Sequence, residues 1–449
     1  MIRLMLSDLA RVLDCPAPER EVAVDQIVTD SRKVHHGTLF AALPGSQVDG
    51  HDFAGSAVKL GAVALLVSRP LDLGIPQLLV DDVLIALGKL ATLIRRRVNP
   101  RVVGITGSNG KTTVKEMVAS ILRLEGDVLA TRGNYNNELG VPLSLFALEQ
   151  KHRFAVLEMG ASKAGDIAYL AGLAKPDLGL VTNIGPAHLK GFGSEEGVAR
   201  AKGEMYTALP VSGTAVINAD EPWADLWKTM NSAGQVMTFG CQPGADVQLL
   251  GDAGRPRIQT PAGEIEPALS IPGRHNLVNA SAAVAVALSL GIDLEKIGQG
   301  LASVKPVPGR LNLLHTDSGW TVIDDTYNAN PASLYSALQV LAGMQGTPWL
   351  VLGDMKELGQ GSRKMHREVG EAARVMGVRR LFTTGEMSAY TAEAFGKGAQ
   401  HYENRDDLAE ALCQALYPDV ICLVKGSRSM GMEAIVAAIT GKPEMREAG

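Results

Sequence analysis

Short apolar runs recur along the chain, each closed by glycines and small polar residues and followed by a stretch with apolar positions at three-and-four spacing. The clearest instance is Val102, Val103 and Ile105, which enter a turn of Gly107, Ser108, Asn109 and Gly110. Beyond that turn Val114, Met117, Val118, Ile121 and Leu122 line one face of a helix that Gly126 stops. The same alternation predicts buried strands at 154–157, 178–182 and 215–217, and a helix within 272–291 that is apolar all round. It starts again with strands at 320–323, 349–352, 380–383 and 420–424, and helices at 332–344 and 364–376. Ahead of the first run, residues 1–14 read as an amphipathic helix, 38–43, 62–68 and 78–80 as extended segments, and 51–60 as a helix.

This organisation predicts an α/β protein of three domains. A small mixed α/β domain spans 1–100, a central doubly wound domain 101–313 and a C-terminal Rossmann-like α/β domain 314–449. In such sheets ligands bind beyond the carboxyl ends of the strands, so the loops that close the apolar runs carry the chemistry.

The turn after Ile105 reads T-G-S-N-G-K-T-T, a phosphate loop opening a helix. Lys111 would reach the outer phosphates of ATP or GTP, and Thr112 would place its hydroxyl on Mg²⁺. The strict pattern wants its first glycine at 105, whereas Gly104 sits one place early; an ordinary glycine turn is the alternative reading. Glu158 ends the next strand, where a carboxylate needs a partner: a magnesium ion, a helix cap or an ion pair. His188, in T-N-I-G-P-A-H, reads as a surface or hydrogen-bonded histidine, and Lys202, in A-K-G-E, as a solvated helix lysine. Asn279, near the start of the apolar helix, suits either a cap or a purine edge. In P-V-P-G-R, Arg310 presents a guanidinium toward phosphates from a rigid linker.

Composition narrows the class. With 449 residues, 46% hydrophobic, 20% charged and 49 glycines, the chain is globular, with many turns joining strands to helices. A formal net charge of −5 argues against nucleic acid as a partner, and the basic cluster 95–97 reads as a solvated interdomain linker. Four cysteines without C-x-x-C spacing suit a reducing cytoplasm and give no metal site. No signal peptide is expected at the start of the chain, and no apolar run approaches the ~20 residues of a membrane span.

Taken in order, G-I-T-G-S-N-G-K-T-T, R-G-N-Y-N-N-E-L-G-V-P-L, L-E-M-G, T-N-I-G-P-A-H-L, A-K-G-E, G-R-H-N-x-x-N, P-G-R and D-D-T-Y-N-A-N-P resemble the Mur ligase family of peptidoglycan synthesis over essentially the whole chain. Within it the resemblance is nearest to the branch that adds D-alanyl-D-alanine to UDP-N-acetylmuramoyl-tripeptide, and the early glycine matches the family's own loop. It implies that Gly107, Ser108, Asn109, Gly110, Lys111, Thr112 and Thr113 hold ATP, with Asn279 on adenine, Arg310 on the phosphates and Asp325 on the ribose. Thr112 and Glu158 would bind a first Mg²⁺, and His188 and a carbamylated Lys202 a second. Lys111, Glu158, His188 and Lys202 would be catalytic. Ser31, Arg32 and Gln47 would grip the UDP part of the substrate, Asn134 and Asn137 its muramoyl peptide, and Asn328, Asn330 and Arg428 the dipeptide. The implied reaction is ATP-dependent amide formation through an acyl phosphate, by a cytoplasmic monomer with no membrane partner, whose last domain swings about residues 306–314.

Two rivals are weaker. A folylpolyglutamate synthase shares the ligase core but lacks a long domain ahead of the phosphate loop. A nucleotide-dependent switch would need no polar loops in the last domain. The D-N-P-R signature of the diaminopimelate-adding ligase is absent. No general base for the attacking amine stands out.

Overall fold

The computed structural model describes residues 1–16, 19–45, 48–185, 189–251 and 254–441. Gln47 and His188 lie outside the described residues. Three sheets and a two-stranded ribbon organise the described residues. The ribbon pairs Leu4–Met5 with Ala23–Val24, so the first helix, Leu6–Val12, starts later than the sequence pattern predicts. The first sheet has four parallel strands, Gln26–Val28, Thr38–Ala41, Ala64–Val67 and Gln77–Leu79.

Helix Val83–Val98 follows. Asp82 caps it by accepting from the Ile85 N–H at 3.0 Å, and Asn99 ends it in the left-handed conformation. Its face of Leu87, Leu90, Ala91 and Ile94 packs with Ile167, Leu170 and Ala174, so the first domain shares a core with the second. The basic cluster is therefore not a solvated linker. Arg95 is 7% exposed and donates to the carbonyls of Ala174 and Lys175, both at 2.9 Å. Three charges in a row look solvated, but on a helix they point in different directions, and only Arg95 falls on the buried face.

The nine-stranded central sheet runs, edge to edge, Gly263–Ile265, Arg257–Thr260, Val247–Leu250, Gln235–Gly240, Thr214–Asn218, Leu178–Val181, Arg101–Thr106, Phe154–Glu158 and Val128–Ala130. All pairings are parallel except the two that involve Arg257–Thr260, an antiparallel extension that the sequence pattern did not predict. The strand Arg101–Thr106 lies between Leu178–Val181 and Phe154–Glu158 and sends alternate residues into two cores. Val103 and Ile105 meet the helices Lys111–Leu122 and Arg274–Ser289, while Val102 joins the core shared with the first domain. Gly104 belongs to this strand rather than to the loop: a Cβ there would lie 2.9 Å from the Met205 sulfur.

The last sheet has six strands in the order Asn312–His315, Thr321–Asp325, Val420–Lys425, Thr347–Gly353, Arg380–Thr384 and Ala399–Tyr402. It begins before the expected strand at 320, because Asn312–His315 adds an antiparallel edge. Its other pairings are parallel, so the loops after Asp325, Gly353 and Lys425 emerge side by side.

Candidate active site

A cavity of about 700 Å³ opens where the phosphate loop faces the loops of the last sheet. Gly107, Ser108, Asn109, Gly110, Lys111, Thr112 and Thr113 form one wall. Gly107 and Gly110 have φ of 147° and 79°, and a Cβ would lie 1.8 Å from Thr182 Oγ1 at the first and 2.6 Å from Asn279 Oδ1 at the second. The loop is fastened to the segment after Leu178–Val181. The Ser108 and Asn109 N–H groups donate to Asn183 O and Oδ1, both at 2.9 Å, and Thr182 Oγ1 donates to Asn109 O at 2.6 Å. Those two amides are thus committed to protein. The N–H groups from Gly110 onward stand at the start of the helix, an arrangement that suits an anion.

Opposite them the Glu158 carboxylate, 2% exposed, accepts from Thr112 Oγ1 at 2.7 Å and from Asn136 Nδ2 at 2.8 Å. Burial works against its charge, but Lys111, Arg310 and these two hydrogen bonds together hold it below the ordinary carboxylate range. Lys111 Nζ donates to Gly107 O at 2.9 Å; burial lowers its pKa, with Glu158 opposing. Arg310 lies 4.0 Å over the Tyr327 ring, and its buried Nε has no hydrogen-bond acceptor among the described residues. Lys202 is 2% exposed, so it is not the solvated helix lysine that its neighbours in sequence suggest. Burial, then Lys111, carries its pKa down to about 7, and its Nζ lies 6.0 Å from the centre of the Phe192 ring. Glu221 also lines the cavity; burial pushes it up to about 7, with Asp220 and Glu195 adding and a hydrogen bond to the Ile184 backbone opposing.

The far end is built from the helix Arg274–Ser289. Asn279 Nδ2 donates to Asn276 Oδ1 at 3.1 Å, and Asn276 Nδ2 donates to Pro272 O at 2.7 Å. Asn276 lines the cavity beside Asn279 and was not singled out from the sequence; the three-residue spacing that puts both on one face was the available signal. From the last domain, Asp325 pairs with Lys425 and accepts from the Leu311 N–H at 3.2 Å, and Lys425 also donates to Asn328 O at 2.9 Å. Asn330 Nδ2 donates to Asn109 Oδ1 at 2.8 Å, joining this domain directly to the phosphate loop.

Other expected substrate residues are more dispersed. Asn137 lines the cavity and accepts from the Gly140 N–H at 2.8 Å, whereas Asn134 is exposed and outside the lining. Ser31 and Arg32 form a short 3₁₀ turn in the first domain, also outside the lining, with Arg32 held on Asp30 by two 2.9 Å contacts. Arg428 lies 5.7 Å from the Tyr327 ring centre and 3.4 Å from Glu433, at the cavity's margin rather than in its lining.

The residues fit a nucleoside triphosphate with Mg²⁺. Arg310 Nε, without an acceptor among the described residues, and the N–H groups at the start of the helix Lys111–Leu122 suit an anion, and Thr112 with Glu158 offers hard oxygen donors of the kind Mg²⁺ prefers.

Comparison with known proteins agrees with this geometry. Family profiles match in chain order: Mur ligase family, catalytic domain, at residues 23–122; Mur ligase middle domain at 105–287; and Mur ligase, glutamate ligase domain, at 309–428. The chain is 42% identical over 450 residues to the UDP-N-acetylmuramoyl-tripeptide--D-alanyl-D-alanine ligase of Escherichia coli strain K12, covering 98% of this chain and 99% of that one. A crystal structure of MurF from Acinetobacter baumannii superposes with a TM-score of 0.90 at 34% identity, covering 98% of this chain and all (100%) of that one. MurF ligase from Thermotoga maritima in complex with ADP gives 0.84 at 30% identity, over 93% and 97% of the two chains. With all three profiles in order and relatives aligned nearly end to end, the chain belongs to the Mur ligase family.

Proposed function

We propose that this protein is an ATP-dependent ligase that joins D-alanyl-D-alanine to UDP-N-acetylmuramoyl-tripeptide, making the pentapeptide precursor of peptidoglycan. The observation that carries the reading is the convergence of Lys111, Glu158, Lys202 and Arg310 of the central domain with Asp325 and Lys425 of the last domain on one cavity. The terminal carboxylate of the tripeptide attacks the γ-phosphorus of ATP, the bond to ADP breaks and an acyl phosphate forms. The amine of the dipeptide then attacks the acyl carbon, loses a proton, and phosphate leaves. Lys111 and Arg310 supply fixed positive charge where negative charge gathers on the transferring oxygens. Thr112 and Glu158 would hold one Mg²⁺, which when bound offsets phosphate charge.

The second magnesium site rests on Lys202. Its amine is buried and, with a pKa of about 7, largely neutral just above neutrality; in that state it adds to CO₂, forming an N–C bond and releasing a proton. The resulting carbamate is an oxygen donor, which a lysine is not. His188 would complete that site. Lys202→Ala is expected to lose turnover and to recover part of it with short carboxylates; a fully active variant would remove the lysine from the reaction.

Asn276, Asn279 and Asp325 are assigned to the nucleoside, Asn134 and Asn137 to the muramoyl peptide, Ser31, Arg32 and Gln47 to the UDP part, and Asn328, Asn330 and Arg428 to the region that receives the dipeptide. Functional units at 1–100, 101–313 and 314–449, acting as a cytoplasmic monomer, complete the proposal. The test is phosphate release from ATP and UDP-N-acetylmuramoyl-tripeptide with D-alanyl-D-alanine, diaminopimelate, lysine or D-glutamate offered in parallel, and mass detection of the product. Release only with the dipeptide, with a pentapeptide mass, supports the reading; release with another amine overturns the acceptor, and amine-independent release overturns the ligase.

A further inference from the structure

Asn330 stands at the start of the helix Pro331–Ala342, where a side-chain cap is expected of it. It provides that cap. Its Oδ1 accepts from the Ser333 N–H at 2.9 Å, while its own N–H donates to Ser333 Oγ at 3.1 Å. The other end of the carboxamide points away from its own domain and donates from Nδ2 to Asn109 Oδ1 at 2.8 Å. Asn109 is itself fixed through its backbone, with N–H on Asn183 Oδ1 at 2.9 Å and O receiving both Thr182 Oγ1 at 2.6 Å and Asn183 Nδ2 at 3.1 Å. One carboxamide therefore ties the last domain's helix to a firmly held residue of the phosphate loop. Gly185 lies beside both domains: a Cβ added there would be in ordinary van der Waals contact with Asn109 Nδ2 at 3.6 Å and with Ala332 Cβ at 3.8 Å.

We propose that Asn330 is a positioning residue, a latch that holds the last domain closed over the phosphate loop and so keeps water from the acyl phosphate until the amine arrives. The inference rests on the acyl-phosphate reading above and revises the part Asn330 plays in it, from dipeptide contact to interdomain fastener. The chemistry is that of a reactive mixed anhydride: an open site lets water take the place of the amine, so that ATP is consumed without amide being formed. A latch therefore governs the coupling of the two half-reactions, which a helix cap alone would not.

Asn330→Ser separates the two roles. Serine caps a helix about as well as asparagine, so the fold is kept, but its hydroxyl is too short to reach Asn109. The experiment measures ATP consumed per amide formed, together with energy transfer between labels on the central and last domains in the presence of Mg²⁺ and a non-hydrolysable ATP analogue. The expected result is an unchanged melting temperature, a fall of roughly fivefold in the closed-to-open ratio, as for loss of one hydrogen bond, and a rise of similar size in ATP consumed per amide. Asn109→Ala removes the same hydrogen bond from the other side, and adding Asn330→Ser to it should change the closed fraction no further. Wild-type closure and coupling in Asn330→Ser, or additive losses in the pair, would overturn the latch. The closure measurement needs no acceptor amine, so it judges the latch even where the acceptor assignment fails.

Discussion

Replacing Glu221 by Gln tests the electrostatics of the cavity at a residue to which no part in the reaction is assigned. Burial raises the Glu221 carboxyl from 4.5 to about 7 in the folded protein. A raised carboxyl favours the protonated form on folding. Its cost to stability is therefore small below pH 4.5, grows as the pH climbs from there, and is complete above pH 7. That gap corresponds to roughly 3 kcal/mol at full ionisation. Glutamine cannot ionise and keeps an oxygen for the Ile184 N–H. The variant should gain about 2–3 kcal/mol over wild type at pH 8 and less than about 1 at pH 5. Because a three-domain chain need not unfold in one step, the measurement is amide hydrogen exchange in the neighbouring strand Thr214–Asn218, comparing variant and wild type at each pH. A difference that stays the same at both pH values would refute the reasoning.

Three further outcomes are expected. Arg310→Lys keeps the charge but loses the planar stack on Tyr327 and the forked donor geometry; the KM for ATP should rise by about tenfold or more in initial-rate measurements, and an unchanged KM would take Arg310 off the phosphates. Gly110→Ala forces a Cβ to within 2.6 Å of Asn279 Oδ1 at a φ of 79°, so ADP binding by calorimetry should weaken by more than about tenfold while circular dichroism is unchanged. Arg95→Ala leaves the Ala174 and Lys175 carbonyls without their donor and should destabilise the joint core of the first two domains by about 2–4 kcal/mol in hydrogen exchange, with every KM unaltered.

The strands and the phosphate loop were readable because their signals are local: an apolar run, a glycine turn and a three-and-four stripe lie next to one another in sequence. Glu158 was readable for a related reason, since a carboxylate closing an apolar strand must be accounted for. What escaped were properties set by distant neighbours. Lys202 and Arg95 look solvated from their sequence neighbours and are buried only because other segments cover them. The Arg257–Thr260 and Gly263–Ile265 strands are short and half-exposed, too weak in pattern to stand out. Asn330 was found as a polar residue in a promising loop, but its second partner lies in another domain, which no spacing along the chain reveals.

The groups that surround the cavity are spread unevenly along the chain: the phosphate loop begins at Gly107, whereas Arg310, Asp325, Asn330 and Lys425 all come much later. Domains emerging from the ribosome fold in order from the N-terminus. A nascent chain thus displays its nucleotide pocket while the groups that would shelter an activated carboxyl have yet to be synthesised. Only once the strand Val420–Lys425 has been made can the last domain close the cavity, and a chain that stops ahead of Asp325 would carry the phosphate loop without the groups that face it from that domain.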